Sequence, residues 1–152
     1  MKFSAWSMIC GSFKLLLIPF FLLGCDKNNI VPNIRFDVTI NLADDKYAGK
    51  DSFVLVDVED YQTKIKMRVG YSGVIVYKSD TYRAFERYCP HDQQTNCIVS
   101  IKDEEKTTSA VCNCCKTEYL IVTGEVIMGP SNYGLKEYKT HYYLNNLLRI
   151  WN

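Results

Sequence analysis

Tyr88-Cys89-Pro90-His91 and, further along the chain, Val111-Cys112-Asn113-Cys114-Cys115-Lys116-Thr117-Glu118-Tyr119 are two short boxes rich in cysteine. A polar segment, Asp92 to Ala110, separates them and contains Cys97. Five of the seven cysteines fall within the 27 residues from Cys89 to Cys115. Thiolate and imidazole are the ligands that soft and borderline metals prefer. The two boxes therefore predict two hairpin tips that jointly hold a small inorganic centre.

The composition of the chain favours strands over helices. Its 152 residues fit one domain. Aromatic residues make up 13% of the chain, including eleven tyrosines, which suits half-buried strands. The formal net charge is +1, so the sequence lacks the strong positive charge of a nucleic-acid binder. It also lacks paired carboxylates, a nucleophile triad and a phosphate-binding glycine loop, which argues against hydrolysis.

The first 24 residues predict an export signal. Leu15 to Leu23 is an apolar run of nine residues, shorter than the about 20 that span a membrane as a helix. It ends in Leu22-Leu23-Gly24-Cys25, which resembles the lipobox of bacterial lipoproteins. We therefore expect removal of residues 1–24, lipidation of Cys25, and a tether over 25–33. The mature protein would be anchored outside the cytoplasm, on the periplasmic or surface side of a bacterial membrane. The alternative is a buried apolar strand with an ordinary cysteine.

The folded domain is expected over residues 34–152, as many short strands. Ile34 to Leu42 alternates apolar and polar residues without a break, the period of a strand with one buried face. Leu135–Thr140 and Tyr142–Leu144 are expected to pair through a bend, and the segment between the boxes is expected to be a loop. The other predicted strands are Phe53–Val58, Tyr61–Val69, Val74–Tyr77, Tyr119–Val122, Glu125–Met128 and Leu147–Trp151. This pattern indicates a small all-β sandwich or barrel.

The boxes and the residues after them resemble a Rieske iron-sulfur domain, roughly from Phe85 to the C-terminus. That family carries Cys-x-His in its first box, as in Cys89-Pro90-His91, and Cys-x-x-His-Gly-Ser in its second. Gly129-Pro130 matches the proline loop that covers the cluster in that family. More narrowly, the chain is similar to a lipoprotein branch from Bacteroidetes-type bacteria. The resemblance implies stacked antiparallel sheets and a cluster-binding subdomain formed by two loops.

The resemblance also implies the ligands of a 2Fe-2S cluster. Cys89, His91 and Cys112 match three of the family's ligands. Cys115 stands where the family has its second histidine, and Lys116 replaces a glycine. Replacing one imidazole by thiolate adds negative charge, so we expect a potential below the about −150 to +300 mV of ordinary Rieske centres. Proton coupling to reduction should also be weaker, because one histidine replaces two.

Further residues acquire supporting roles from the same resemblance. Cys97 and Cys114 match a disulfide that braces the two cluster loops. Thr117 and Tyr119 match hydroxyl groups that hydrogen-bond the cluster sulfurs. Cysteine parity agrees, because three ligands and one disulfide use all five cysteines that remain after export and lipidation. Asp92 is expected to be a solvated loop carboxylate, the alternative being an acceptor that orients the imidazole.

The expected function is that of a membrane-tethered one-electron carrier with no substrate site of its own, serving an unidentified partner protein. Two alternatives stay open. One is a cluster-free, disulfide-stapled binding or assembly lipoprotein, and the other is structural zinc in the same set of three cysteines and one histidine. The signal contains no arginine, whereas folded, loaded proteins usually leave the cytoplasm on a twin-arginine signal.

Overall fold

The computed structural model describes residues 30–102 and 108–152. Within these ranges the regular secondary structure consists of twelve strands and contains no helix. The strands are β1 (Asp37–Asn41), β2 (Ser52–Leu55), β3 (Asp57–Glu59), β4 (Lys66–Arg68), β5 (Val74–Lys78), β6 (Tyr82–Glu86), β7 (Val99–Ile101), β8 (Ser109–Cys112), β9 (Glu118–Leu120), β10 (Val126–Met128), β11 (Glu137–Tyr143) and β12 (Leu147–Trp151). The all-β prediction is confirmed.

The larger sheet has six strands in the order β1-β12-β11-β6-β5-β2. Every neighbouring pair in it is antiparallel. Val38 and Ile40 of β1 lie opposite Ile150 and Leu148 of β12, and all four side chains are buried. They pack with Phe53 and other buried residues into one apolar cluster. Burial of this cluster stabilises the six-stranded sheet, at roughly 25 cal/mol per Å² of apolar surface removed from water.

A second sheet, of order β10-β9-β8-β7, carries the cysteine boxes. It is antiparallel throughout. Its fully buried Tyr119 packs with Phe85 of the larger sheet and with Cys89 and Cys112 in a second apolar cluster. The cysteines therefore belong to a packed interior shared by the two sheets. Strands β3 and β4 form a separate hairpin.

Glu86, the last residue of β6, is a fully buried carboxylate next to this interior. Its Oε2 accepts hydrogen bonds from the amide of Tyr71 at 2.7 Å and the hydroxyl of Tyr138 at 2.6 Å. Its Oε1 accepts from the amides of Ser72 at 2.8 Å and Tyr88 at 2.9 Å. Four donors compensate the cost of burying the charge. The carboxylate thus fixes the backbone that enters the first box.

The structure confirms some predicted strands and corrects others. Val74–Tyr77 and Leu147–Trp151 are strands, as predicted. Phe53–Val58 is not one strand, because a bend at Val56 divides it between β2 and β3, which belong to different sheets. Tyr61–Val69 contributes only the three residues of β4.

Two further expectations about the second half of the chain are wrong. Leu135–Thr140 and Tyr142–Leu144 do not pair, because the chain runs straight through His141 as β11 and pairs with β12. The segment between the boxes is not wholly a loop, since it contains β7, whose Val99 is fully buried. Residues 103–107 of this segment lie outside the described residues.

The predicted export signal and Cys25 also lie outside the described residues. No helix within 30–102 or 108–152 is long and apolar enough to cross a membrane.

Asp60 joins the β3–β4 hairpin to β1 and carries a pH-dependent prediction. Its carboxylate accepts hydrogen bonds from the amides of Thr39 and Thr63, each at 2.7 Å. Burial alone would raise the pKa of Asp60, but these hydrogen bonds outweigh it and lower the pKa. A lowered folded pKa stabilises the protein above the unfolded pKa of about 3.9, and this contribution disappears as the pH falls through the folded pKa. In urea unfolding, we expect Asp60→Asn to destabilise the protein at pH 7, with the difference from wild type shrinking toward pH 3.

Candidate metal centre

The first box lies on a tight turn that follows β6. Tyr88 forms an isolated antiparallel bridge with Ile98, and the Cys89 amide donates to the carbonyl of Cys97 at 3.1 Å. The amide of Gln93 returns to the Cys89 carbonyl at 3.1 Å, with Gln93 at a φ of 51°. These bonds point Cys89 into the interior, where it is fully buried.

The second box forms the tip of the β8–β9 hairpin. Cys112 ends β8, and its amide donates to the carbonyl of Thr117 at 3.0 Å. The amide of Lys116 donates to the carbonyl of Cys112 at 3.2 Å, which closes the turn. Lys116 has a φ of 62°, a left-handed conformation that suits glycine best. Lys116 therefore adopts a backbone conformation typical of glycine.

A disulfide between Cys97 and Cys114 links the two boxes, with the Cα atoms 5.4 Å apart. The predicted pairing is confirmed. Asn113 reinforces the link, because its Oδ1 accepts from the amide of Ile98 at 2.8 Å and its Nδ2 donates to the carbonyl of Asn96 at 2.9 Å. The two loops are therefore held together by one covalent bond and by side-chain hydrogen bonds.

Three other cysteines converge beneath this disulfide. Cys89, Cys112 and Cys115 are not disulfide-bonded, and their sulfurs lie within 4.8 Å of one another. The Sγ atoms of Cys89 and Cys115 are 3.6 Å apart. Cys89 and Cys112 are buried and Cys115 is half-buried. Two chain-distant boxes thus supply three soft donors to one point.

Asp92 is the fourth member of this group. Its Oδ2 lies 3.4 Å from Cys112 Sγ and 3.5 Å from Cys89 Sγ. The same oxygen accepts from the amide of Cys115 at 3.1 Å. The expectation that Asp92 is a solvated loop carboxylate is wrong, because the turn after Pro90 folds it inward. The available signal was its position three residues after Cys89, a spacing that one turn brings back to the same side.

His91 is the predicted ligand that lies apart from the others. Its side chain is exposed, and it does not belong to the group of donor atoms within 4.8 Å of one another. The remaining histidine, His141, is exposed on β11. The described chain therefore gathers three sulfurs and one carboxylate, while His91 stands next to them in sequence.

Burial and hydrogen bonding together set the pKa values of the cysteines and of Asp92. Burial raises the pKa of Cys89, and it raises the pKa of Cys112 to about 12. Burial also acts to raise the pKa of Asp92, but hydrogen bonds from the three thiols and from the Cys115 amide outweigh it, so the pKa is lowered. A divalent cation can take the place of the thiol protons between these sulfurs and the carboxylate, because metal binding deprotonates the thiols.

Two hydroxyl groups lie close to the sulfurs. Thr117 Oγ1 is 3.1 Å from Cys115 Sγ, and Tyr119 Oη is 3.9 Å from Cys89 Sγ. Both residues are fully buried. Burial raises the pKa of Tyr119, so its hydroxyl keeps its proton at neutral pH. The Cys115 thiol here donates to the Thr117 hydroxyl. When a metal has deprotonated the sulfur, such a hydroxyl can donate to it and stabilise its negative charge.

Gly129-Pro130 passes directly over Thr117, and Gly129→Ala is expected to disturb the site. Gly129 has a φ of 121°, and a Cβ there would lie 2.5 Å from the Thr117 Cα. Because the clash is with backbone, the loop must move, at a cost of about 1–3 kcal/mol. We expect a lower melting temperature and weaker metal retention. Gly49→Ala is the control, because Gly49 also has a positive φ but a Cβ there meets nothing within 4 Å.

The donor set fits a thiolate-bound metal. Two thiolates on one tetrahedral zinc, each at about 2.3 Å, lie about 3.8 Å apart, close to the 3.6 Å between the sulfurs of Cys89 and Cys115. The same spacing suits two thiolates on one iron. A binuclear 2Fe-2S cluster takes four protein ligands, so it also needs a fourth donor beyond the three sulfurs.

The fold and the site define an all-β, disulfide-braced protein with a cysteine-rich group that could hold a metal ion. The chain matches no family model, and no curated protein is significantly similar to it.

Proposed function

We propose that the protein is a membrane-tethered one-electron carrier with a Rieske-type 2Fe-2S centre. The observation that carries this proposal is the convergence of three unpaired cysteines beneath the Cys97–Cys114 disulfide. Cys89, Cys112 and Cys115 would hold the centre, with His91 completing the set. Such a centre supplies a one-electron redox change when bound.

The chain's own residues set the conditions for that change. The sulfurs of Cys89 and Cys112 belong to a packed, apolar interior, which limits access of water. Hydroxyl donors from Thr117 and Tyr119 stabilise the electron-rich reduced state and raise the potential. Three thiolates with one imidazole lower it relative to a centre with two imidazoles. The net expectation is a potential between those of ordinary Rieske and all-thiolate centres.

His91 is the proposed point of electron exchange. Its side chain is exposed, whereas Cys89 and Cys112 are buried. To ligate the metal its ring must turn toward the sulfurs, and the tight turn that begins at Cys89 keeps it near them. A redox partner protein would approach this side of the molecule.

A single tetrahedral zinc ion is the second candidate. The observation that favours it is the position of Asp92, whose Oδ2 lies 3.4–3.5 Å from two of the three sulfurs. Three thiolates and one carboxylate satisfy the four-coordinate preference of structural zinc. In this case the site stabilises the two loops and has no redox role.

The metal content of the purified full-length protein decides between these candidates. We expect visible absorption, together with iron and acid-labile sulfide in equal amounts, after anaerobic purification or reconstitution. A colourless protein with one equivalent of zinc supports the second candidate. A colourless protein that takes up neither metal contradicts both and supports the cluster-free alternative.

Two substitutions identify the fourth ligand independently. If His91 completes a cluster, His91→Gln should abolish the visible spectrum, while Asp92→Asn should leave it largely intact. If Asp92 completes a zinc site, Asp92→Asn should weaken zinc affinity about 10–100-fold or more, while His91→Gln should have no effect. His141→Gln is the matched control, because His141 is exposed and remote in sequence from both boxes.

We also propose that a lipid on Cys25 anchors the protein to a bacterial membrane. The support is the lipobox-like sequence at residues 22–25. In a bacterial host, radiolabelled fatty acid should be incorporated into the wild type and not into Cys25→Ser. Equal labelling of both proteins would contradict the anchor without affecting the proposal for the metal centre.

A further inference from the structure

We propose that Cys89 and Cys115 form a second disulfide when no metal is bound, so that oxidation of this pair closes the site to metal. The inference concerns the site of the proposed function, but it requires no particular metal. It assigns different roles to the three thiols. Cys89 and Cys115 are the pair that reacts, and Cys112 is left reduced.

The geometry of the pair is the first argument. The two sulfurs are 3.6 Å apart, and a disulfide requires about 2.05 Å, so they must approach by roughly 1.5 Å. The Cys97–Cys114 bond already joins the loops that carry them. A pre-formed link of this kind raises the effective concentration of one thiol near the other. Little backbone reorganisation is therefore needed to close the second bond.

The difference in exposure between the two thiols sets the order of the reaction. Cys115 is half-buried at the hairpin tip, while Cys89 is fully buried. A small external disulfide can reach Cys115 first. The Cys115 thiolate attacks one sulfur of oxidised glutathione, the glutathione S–S bond breaks, and one glutathione thiolate leaves. Cys115 is then joined to glutathione as a mixed disulfide.

Cys89 completes the exchange from within the site. Its thiolate attacks Cys115 Sγ, the bond to glutathione breaks, and a second glutathione thiolate leaves. Two protein thiols have lost two electrons, glutathione disulfide has gained them, and the two thiol protons end on the two glutathione products.

The product cannot hold the proposed metal. Two of the three sulfur donors are consumed, which leaves Cys112 and Asp92 as the only members of the group of four still able to bind. A bound metal has the opposite effect, because thiolates that ligate a metal are not free to attack a disulfide. Oxidation and metal binding are therefore mutually exclusive at this site.

The test uses the full-length protein after a chelator has removed any metal. The protein is reduced mildly, so that the Cys97–Cys114 bond stays intact. It is then treated with oxidised glutathione. Peptide mapping by mass spectrometry should find a Cys89–Cys115 bond. Cys112→Ser should form the same bond, whereas Cys89→Ser should accumulate glutathione on Cys115. The Cys97–Cys114 bond, present in every sample, reports that the two loops remain covalently linked, and near-UV circular dichroism of each variant checks that the protein remains folded.

Three results would overturn the inference. They are a Cys112–Cys115 bond in the wild type, loss of the new bond in Cys112→Ser while Cys97–Cys114 persists, and no new bond at all. None of them bears on the proposed function, which depends on metal content. Conversely, a protein that binds neither iron nor zinc can still form the Cys89–Cys115 bond, so the two failures are distinguishable.

Discussion

Glu86→Ala is expected to destabilise the protein by about 4 kcal/mol or more. The side chain is fully buried and accepts four hydrogen bonds, three from backbone amides and one from the Tyr138 hydroxyl. Removing the acceptor leaves each buried donor unpaired, at about 1–3 kcal/mol for each. Because Tyr88 is one of these donors and precedes Cys89, metal binding should weaken as well. Urea unfolding and metal titration measure the two effects.

Glu86→Gln separates the loss of acceptors from the loss of volume. The amide oxygen can still accept from one pair of donors, while its NH₂ group faces the other pair. We expect the free energy of unfolding of Glu86→Gln to lie between those of the wild type and Glu86→Ala. Glu59→Ala is the surface control, since Glu59 is exposed on β3 and such substitutions usually stay within about 0.5 kcal/mol. A stability of Glu86→Ala equal to that of the control would show that the four hydrogen bonds contribute nothing net.

The double replacement of Cys97 and Cys114 by serine should cost about 3 kcal/mol. The two cysteines are 17 residues apart, and closing a loop of about 15 residues contributes about 3 kcal/mol in the chain-entropy model. The substitutions should weaken metal binding more than they weaken overall stability, because the disulfide holds the two boxes against each other. We expect metal affinity to fall at least tenfold, as measured by competition with a chromogenic chelator.

A reducing agent provides the control for this prediction. It should lower the stability of the wild type toward that of the double variant and leave the double variant unchanged. Ser79→Ala, on an exposed turn, should behave as wild type under both conditions. Equal metal affinity of wild type and double variant would mean that strand pairing alone positions the boxes.

The sequence predicts the β class and the disulfide well, for identifiable reasons. Alternation in Ile34–Leu42 predicts the strand β1 from local sequence alone, although the observed strand is shorter and Thr39 on its polar face is buried too. The disulfide follows from matching Cys97 and Cys114 to a known pattern. Strand divisions are less predictable, because the bend at Val56 depends on tertiary contacts, such as the amide of Val69 donating to the Val56 carbonyl.

The site illustrates the same limit more sharply. The positions of Cys89, Cys112 and Cys115 could be anticipated, since each lies in a box. The inward position of Asp92 was harder to anticipate, because its spacing from Cys89 is the one signal in the sequence and the turn also requires Gln93 to adopt a φ of 51°. No composition or period encodes that conformation. His91 lies in the same turn, and its side chain is exposed.

The crowding of cysteines at the hairpin tip has a consequence for how the protein matures. Cys112, Cys114 and Cys115 are near neighbours in sequence, yet only Cys114 belongs in the Cys97 bond. What distinguishes them is the β8–β9 turn, which exposes Cys114 and turns Cys112 inward. If the chain is oxidised before that turn forms, Cys97 can bond to any of the three cysteines, and isomers with the wrong disulfides result. Correct assembly therefore requires folding first and oxidation second.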